Sequence, residues 1–175
     1  MKGRFATYLP LRFIAALCII FSFWMPLGTY DDDLIFWKAF PTALATMLVG
    51  LGGLAVAPWV IVRIAALGVG AAALILLPTD ELQMGLSASG FWLALIGLLL
   101  FAWIVMADLA AMKRNRWRDI AIPLIFGLLL VYLWQAVVVG FAVPKVLLPA
   151  PTAIATAIAA GTAIAKPGCW PLPRG

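Results

Sequence analysis

The chain has 175 residues, of which 66% are hydrophobic and only 11% charged; its mean hydropathy is +1.12 and its formal charge +5. Soluble domains are roughly half apolar and about a quarter charged, so too few polar residues are present to cover a water-facing surface. The same apolar excess excludes disorder.

Lipid is therefore the expected solvent. A bilayer core of about 30 Å needs roughly 20 helical residues, and backbone groups in lipid must bond within their own segment. Five apolar runs meet this need, at 9–27, 39–56, 60–77, 88–107 and 120–141. The expected fold is all-α: a polytopic integral membrane bundle of about five transmembrane helices.

The first run follows Lys2 and Arg4, as a signal peptide would, but it ends in Met25-Pro26-Leu27-Gly28 with no small-x-small cleavage pattern. It reads as a retained anchor. The second and third runs are joined by Ala57-Pro58-Trp59, where proline stops a helix and Trp59 suits the headgroup level. A re-entrant pair is the alternative there. Gly50, Gly52, Gly53 and Ala57 mark the second run, and Gly68, Gly70 and Ala72 the third. Gly53/Ala57 and Gly68/Ala72 have the four-residue spacing that lets helix backbones touch. Trp24, Trp37, Trp59, Trp92 and Trp117 fall near run ends and read as an aromatic belt.

Orientation follows from the basic residues. With the N-terminus in the cytoplasm, Lys2, Arg4, Arg12, Arg63, Lys113, Arg114, Arg116 and Arg118 share that side, eight of the twelve Lys and Arg. Lys38 and Lys145 lie opposite, with Asp31, Asp32, Asp33, Asp80 and Glu81. This is a positive-inside pattern. The basic loop Lys113, Arg114, Arg116 and Arg118 is read as its main determinant rather than as a nucleic-acid patch. Arg12 and Arg63 are expected to snorkel to headgroups, Asp108 to reach Lys113 or headgroup water, and Gln135 to find a partner in another helix.

Chemistry-bearing residues are few. Histidine is absent, which removes the commonest metal, haem and pigment ligand. Cys18 and Cys169 are far apart and suggest no disulfide framework. Asp31-Asp32-Asp33 could attract a divalent cation, but three adjacent carboxylates in a loop read first as solvated charge. No phosphate-binding loop, nucleophile-base pair or intramembrane carboxylate pair is present in the sequence. No enzyme activity, catalytic residue, metal site or cofactor is expected.

After the basic loop comes a span with Leu133-Trp134, then Phe141-Ala142-Val143-Pro144-Lys145-Val146-Leu147-Leu148-Pro149-Ala150-Pro151-Thr152. This stretch resembles the beginning of binding-protein-dependent ABC transporter permeases of the nitrate/sulfonate/taurine class. These begin with a Leu-Trp span, then an outward Leu-Pro-x-Pro segment and a helix. The matching residues are Leu133, Trp134, Leu148, Pro149 and Pro151. Pro149 and Pro151 force an extended passage and leave Thr152 placed as an N-cap for a weakly amphipathic helix over 152–165.

The resemblance spans 117–165 and implies a truncated or frame-shifted permease carrying a four-span N-terminal extension. The organisation is then a four-span membrane region (1–111), a basic cytoplasmic loop (112–119), the permease-like span with its outward segment and short helix (120–165), and a proline-rich tail (166–175). The implied function is that of a membrane permease component of an ABC-type importer in a bacterial-type inner membrane. An ABC ATPase and a solute-binding protein are the implied partners. The alternative is a small structural or accessory subunit packed against a larger membrane complex.

Overall fold

The computed structural model describes residues 9–31, 33–56, 59–77, 85–113, 116–141, 143 and 148–164. Among them are six α-helices: α1 (Leu9–Ser22), α2 (Pro41–Val56), α3 (Val60–Ile75), α4 (Ser89–Ala111), α5 (Arg116–Gly140) and α6 (Pro151–Ile164). A two-stranded hairpin, β1 (Gly28–Tyr30) with β2 (Asp33–Ile35), lies between α1 and α2. The strands are antiparallel, pairing Gly28 with Ile35 and Tyr30 with Asp33. At the turn Asp31 takes φ 50°, a left-handed conformation that Asp tolerates better than most residues. Asp31 and Asp33 thus belong to a hairpin rather than an open loop, and Asp32 lies outside the described residues.

The fold is helical as expected, with different lengths. Two helices, α4 with 23 residues and α5 with 25, are long and apolar enough to cross a membrane. Helices α1, α2 and α3 have 14, 16 and 16 residues, so at 1.5 Å per residue they run only about 21–24 Å. For α1 the reason is visible in the chain. It unwinds at Phe23, and Phe23–Leu27 lead through turn hydrogen bonds into the hairpin, with Leu27 N donating to Ile35 O at 2.7 Å.

Helix α4 is the hub. Phe91, Ala94, Leu95, Leu98, Phe101, Ile104 and Val105 are all buried, which suits a helix apolar on every side. It runs antiparallel to α1, and Gly90 N donates to Pro26 O at 2.8 Å where the two meet the hairpin. Glycine is required here: a Cβ on Gly90 would lie 2.7 Å from Met25 O and 2.9 Å from Ser22 O, and one on Gly97 would lie 2.5 Å from Ile19 Cγ1.

Helices α2 and α3 form an antiparallel pair beside α4. Their closest approach puts Gly50 against the backbone of Gly70 and Gly53 against Ala66, while Gly52 and Gly68 face open space. The Gly68/Ala72 pairing read from spacing is therefore replaced by Ala66/Gly70, one face round the helix; Ala57 lies outside the described residues. Helix α5 is the outlier. Only 11% of its most apolar window is buried, against 50% for α4. Its C-terminal end touches the hub, where Gly140 abuts Trp92 and Phe91.

Candidate functional site

Helix directions bring three charged residues to one end of the bundle. Arg12 stands in the first turn of α1, Arg63 in the first turn of α3, and Asp108 in the last turn of α4. Arg12 Nη2 and Arg63 Nη1 both donate to Asp108 Oδ2, each at 2.7 Å. The Arg63 side chain is 7% exposed, and those of Arg12 and Asp108 are each 21% exposed. A charge this buried needs a close counter-charge and hydrogen bonds to be tolerated. The carboxylate supplies both, and in doing so ties α1 and α3 to the hub.

This arrangement corrects two expectations. Asp108 accepts from Arg12 and Arg63 rather than being given over to Lys113 or headgroup water, and Arg63 is buried rather than snorkelling. The missed signal was a simple one. Two arginines and one aspartate each fall at the predicted cytoplasmic end of a different span.

The loop residues sit beside this corner. Arg118 Nη1 donates to Met112 O at 2.7 Å and Ala110 O at 3.3 Å, so its cation neutralises the C-terminal carbonyls of α4. Its Nε lies 3.6 Å from Asp119 Oδ1. Lys113 and Arg116 are exposed, and Arg114 lies outside the described residues.

At the far end of α5 are the motif residues of the permease resemblance. Leu133 is half-buried against the core, whereas Trp134, Leu148 and Pro149 are exposed and Pro151 opens α6. Gln135 has the interhelical partner its depth called for: its Oε1 accepts from Thr152 N and Thr152 Oγ1, both at 3.3 Å. Thr152 is thus the second residue of α6 and not its N-cap. Gln135, a residue of the neighbouring helix, meets the backbone N–H that a cap would have taken. Tyr132 adds a link from α5 to α3, its hydroxyl donating to Ala71 O at 3.2 Å. Behind these groups is a cavity of about 90 Å³ between Leu74, Phe91, Ala136 and Val139, well under the several hundred Å³ usual for ligand pockets.

The tryptophans divide into two sets. Trp24, Trp59 and Trp117 are largely exposed, as a belt requires. Trp37 is buried, edge-on to Phe23 at 5.5 Å. Trp92 packs between Phe91 and Phe141 and donates from Nε1 to Gly85 O at 2.8 Å. Trp37 and Trp92 are therefore packing residues, corrected from the belt. Trp37 also lines an open cleft of about 650 Å³ with Phe23, Trp24, Ile35, Phe36 and Lys38, at the hairpin end of the bundle.

Among the described residues, no three His, Cys, Asp or Glu side chains gather as a metal site would require. The chain matches no family model, no curated protein and no solved structure. The Arg12–Asp108–Arg63 corner and the bare apolar face of α5 are the features that a functional reading must use.

Proposed function

We propose that the chain is a multi-pass protein of a bacterial-type inner membrane, N-terminus in the cytoplasm, serving as a permease component of an ABC-type importer. The observation that carries the membrane part is the surface of α5. Trp117, Ile120, Leu124, Phe126, Leu128 and Leu130 are all exposed along one 25-residue helix. Soluble monomers seldom present apolar patches above a few hundred Å², whereas lipid solvates such a face without cost.

Helices α2 and α3 are short, but the Arg63–Asp108 contact at one end supports their reaching the depth at which α4 ends. The hairpin and its aromatic neighbours provide the outer boundary, and short helices are accommodated by local bilayer thinning. The distribution of charge supports the orientation, with Arg12, Arg63, Lys113, Arg116 and Arg118 at one end and Asp31, Asp33 and Lys38 at the other.

The importer role rests on the Leu133-Trp134 and Leu148-Pro149-Ala150-Pro151 resemblance and on the looseness of α5. A helix tied to α1–α4 chiefly through its end is suited to joining further helices of a transport core. In an importer, α1–α4 would then form a peripheral body, while an ATPase and a solute-binding protein drive alternating access through the core. An accessory subunit of a larger membrane complex is the second reading. It is favoured by the bundle interior, whose buried polar residues among those described are Ser22 and Arg63.

Two experiments decide. Alkaline carbonate extraction of native membranes should leave the full chain in the pellet, and its release into the supernatant would refute membrane residence. Quantitative mass spectrometry of cross-linked complexes should recover an ABC ATPase and a solute-binding protein. Recovery of a stoichiometric non-transport complex instead would establish the accessory role.

A further inference from the structure

We propose that the cleft at the hairpin end of the bundle binds a long-chain fatty acid, with its carboxylate at Trp37 and Lys38. The inference rests on the membrane residence proposed above and not on the importer role. The cleft has a volume of about 650 Å³, within the range of small-molecule sites, and Phe23, Trp24, Phe36 and Leu44 give it apolar walls. Two hydrogen-bond donors interrupt them. Trp37 is 1% exposed and lines the cleft, and its indole Nε1 is buried with no acceptor among the described residues. A buried donor left unpaired is costly and calls for a partner. Lys38 comes next in the lining; it is exposed, and its ammonium has no ion-pair or hydrogen-bond partner among the described residues.

One neutral N–H and one cation match a group with a single negative charge and two acceptor oxygens. Asp31 and Asp33 of the hairpin are exposed and do not line the cleft, so Lys38 sets the sign of the charge there. The surface leading away from the cleft selects the rest of the ligand. Leu48, one turn beyond Leu44 on α2, is exposed, and so are Ile20 and Leu17 on α1. A compact acid has no use for this apolar surface, whereas an acyl chain covers it and continues into the bilayer. Nε1 is closed to solvent in this conformation, so its bond to the carboxylate requires the indole to turn toward the cleft. Binding should therefore register at residue 37 itself.

The test is a scintillation-proximity assay on the full chain in phosphatidylcholine nanodiscs at mildly alkaline pH. Radiolabelled dodecanoate is the probe, and the signal of protein-free nanodiscs is subtracted. Unlabelled dodecanoate should compete about tenfold better than dodecanol, the difference expected of one charge-assisted hydrogen bond. It should also outcompete benzoate, dodecyltrimethylammonium and phosphatidylglycerol. Lys38→Met should abolish the preference for acid over alcohol, and Lys38→Arg should keep most of it. Trp37→Phe keeps a ring but loses the N–H, and should weaken dodecanoate binding about fivefold.

Thermal melts check that each variant is folded; Lys38 is exposed, and its variants should be. If Trp37→Phe is not, fluorotryptophan placed at position 37 by codon suppression carries that arm. Its fluorine resonance should move with dodecanoate and not with dodecyltrimethylammonium. Dodecanol competing as well as dodecanoate would overturn the proposal. So would a preference intact in Lys38→Met, a fluorine resonance unmoved by dodecanoate, or equal competition by benzoate or phosphatidylglycerol. None of these results touches the carbonate extraction, so membrane residence stands or falls separately.

Discussion

Asp108→Ala offers the sharpest test of how the bundle is held. The substitution removes the one oxygen on which Arg12 and Arg63 both close at 2.7 Å. It leaves a guanidinium that is 7% exposed with its carboxylate partner gone and a second cation beside it. Removing one partner of a fully buried pair costs about 3–5 kcal/mol. Arg12 and Asp108 retain some access to water or headgroups, which screens part of that loss, so about 2–3 kcal/mol is expected here. For a chain of this length about 1 kcal/mol moves the melting point by roughly 2–4 °C, giving a fall of about 4–12 °C.

The assay is thermal unfolding followed by circular dichroism in neutral detergent. Arg12→Ala leaves Asp108 with Arg63 and should cost about 1 kcal/mol. The decisive comparison is Asp108→Ala/Arg63→Ala, which discards the buried cation together with its carboxylate and should be more stable than Asp108→Ala alone. A single variant melting within about 1 °C of the parent, or a double variant showing simple additivity, would refute the coupling.

The glycine seams yield paired expectations for the same melts. Gly90→Ala drives a methyl to 2.7 Å from Met25 O and 2.9 Å from Pro26 O, backbone atoms with little room to yield, and should cost about 1–3 kcal/mol. Gly52→Ala meets nothing within 4 Å and should instead stabilise by up to about 1 kcal/mol through helix propensity. Tyr132→Phe removes the 3.2 Å bond to Ala71 O and should cost about 0.5–1.5 kcal/mol. Orientation is checked by maleimide labelling in a Cys18→Ser/Cys169→Ser background. Cysteines placed at Lys38 and Lys113 should label from opposite faces of sealed vesicles, and labelling from one face would refute the topology.

Helices were the legible part of the sequence. The runs read at 39–56 and 60–77 correspond to Pro41–Val56 and Val60–Ile75, because long apolar stretches bounded by proline and turn residues leave the backbone little choice. The hairpin at 28–35 was hidden: three-residue strands carry almost no periodic signal, and three consecutive aspartates look like solvated loop. The seam between α2 and α3 was misplaced by one face. Small residues are so dense there that four-residue spacing occurs on more than one side of each helix. The charged corner could not be read locally at all. Arg12 and Asp108 are 96 positions apart, and the near neighbour Lys113 was the natural partner to choose. Gln135 was read correctly as needing another helix, since a primary amide deep in an apolar run has nowhere else to bond, but nothing in its spacing named Thr152.

The long separation between Arg12 and Asp108 bears on how the protein is made. Helices α2 and α3 are consecutive and can close on each other as soon as both leave the ribosome, whereas α1 must wait for α4. At typical translation speeds of 5–20 residues per second, about 5–20 s pass between synthesis of Arg12 and of its carboxylate. In the proposed membrane orientation Arg12 spends that interval, and Arg63 about its second half, at the cytoplasmic leaflet with the eventual counter-ion still unmade, and anionic headgroups are the nearest substitutes. In that orientation the last turn of α4 acts as a latch: its arrival completes the body, and a nascent chain halted before residue 108 would hold its arginines against lipid headgroups instead.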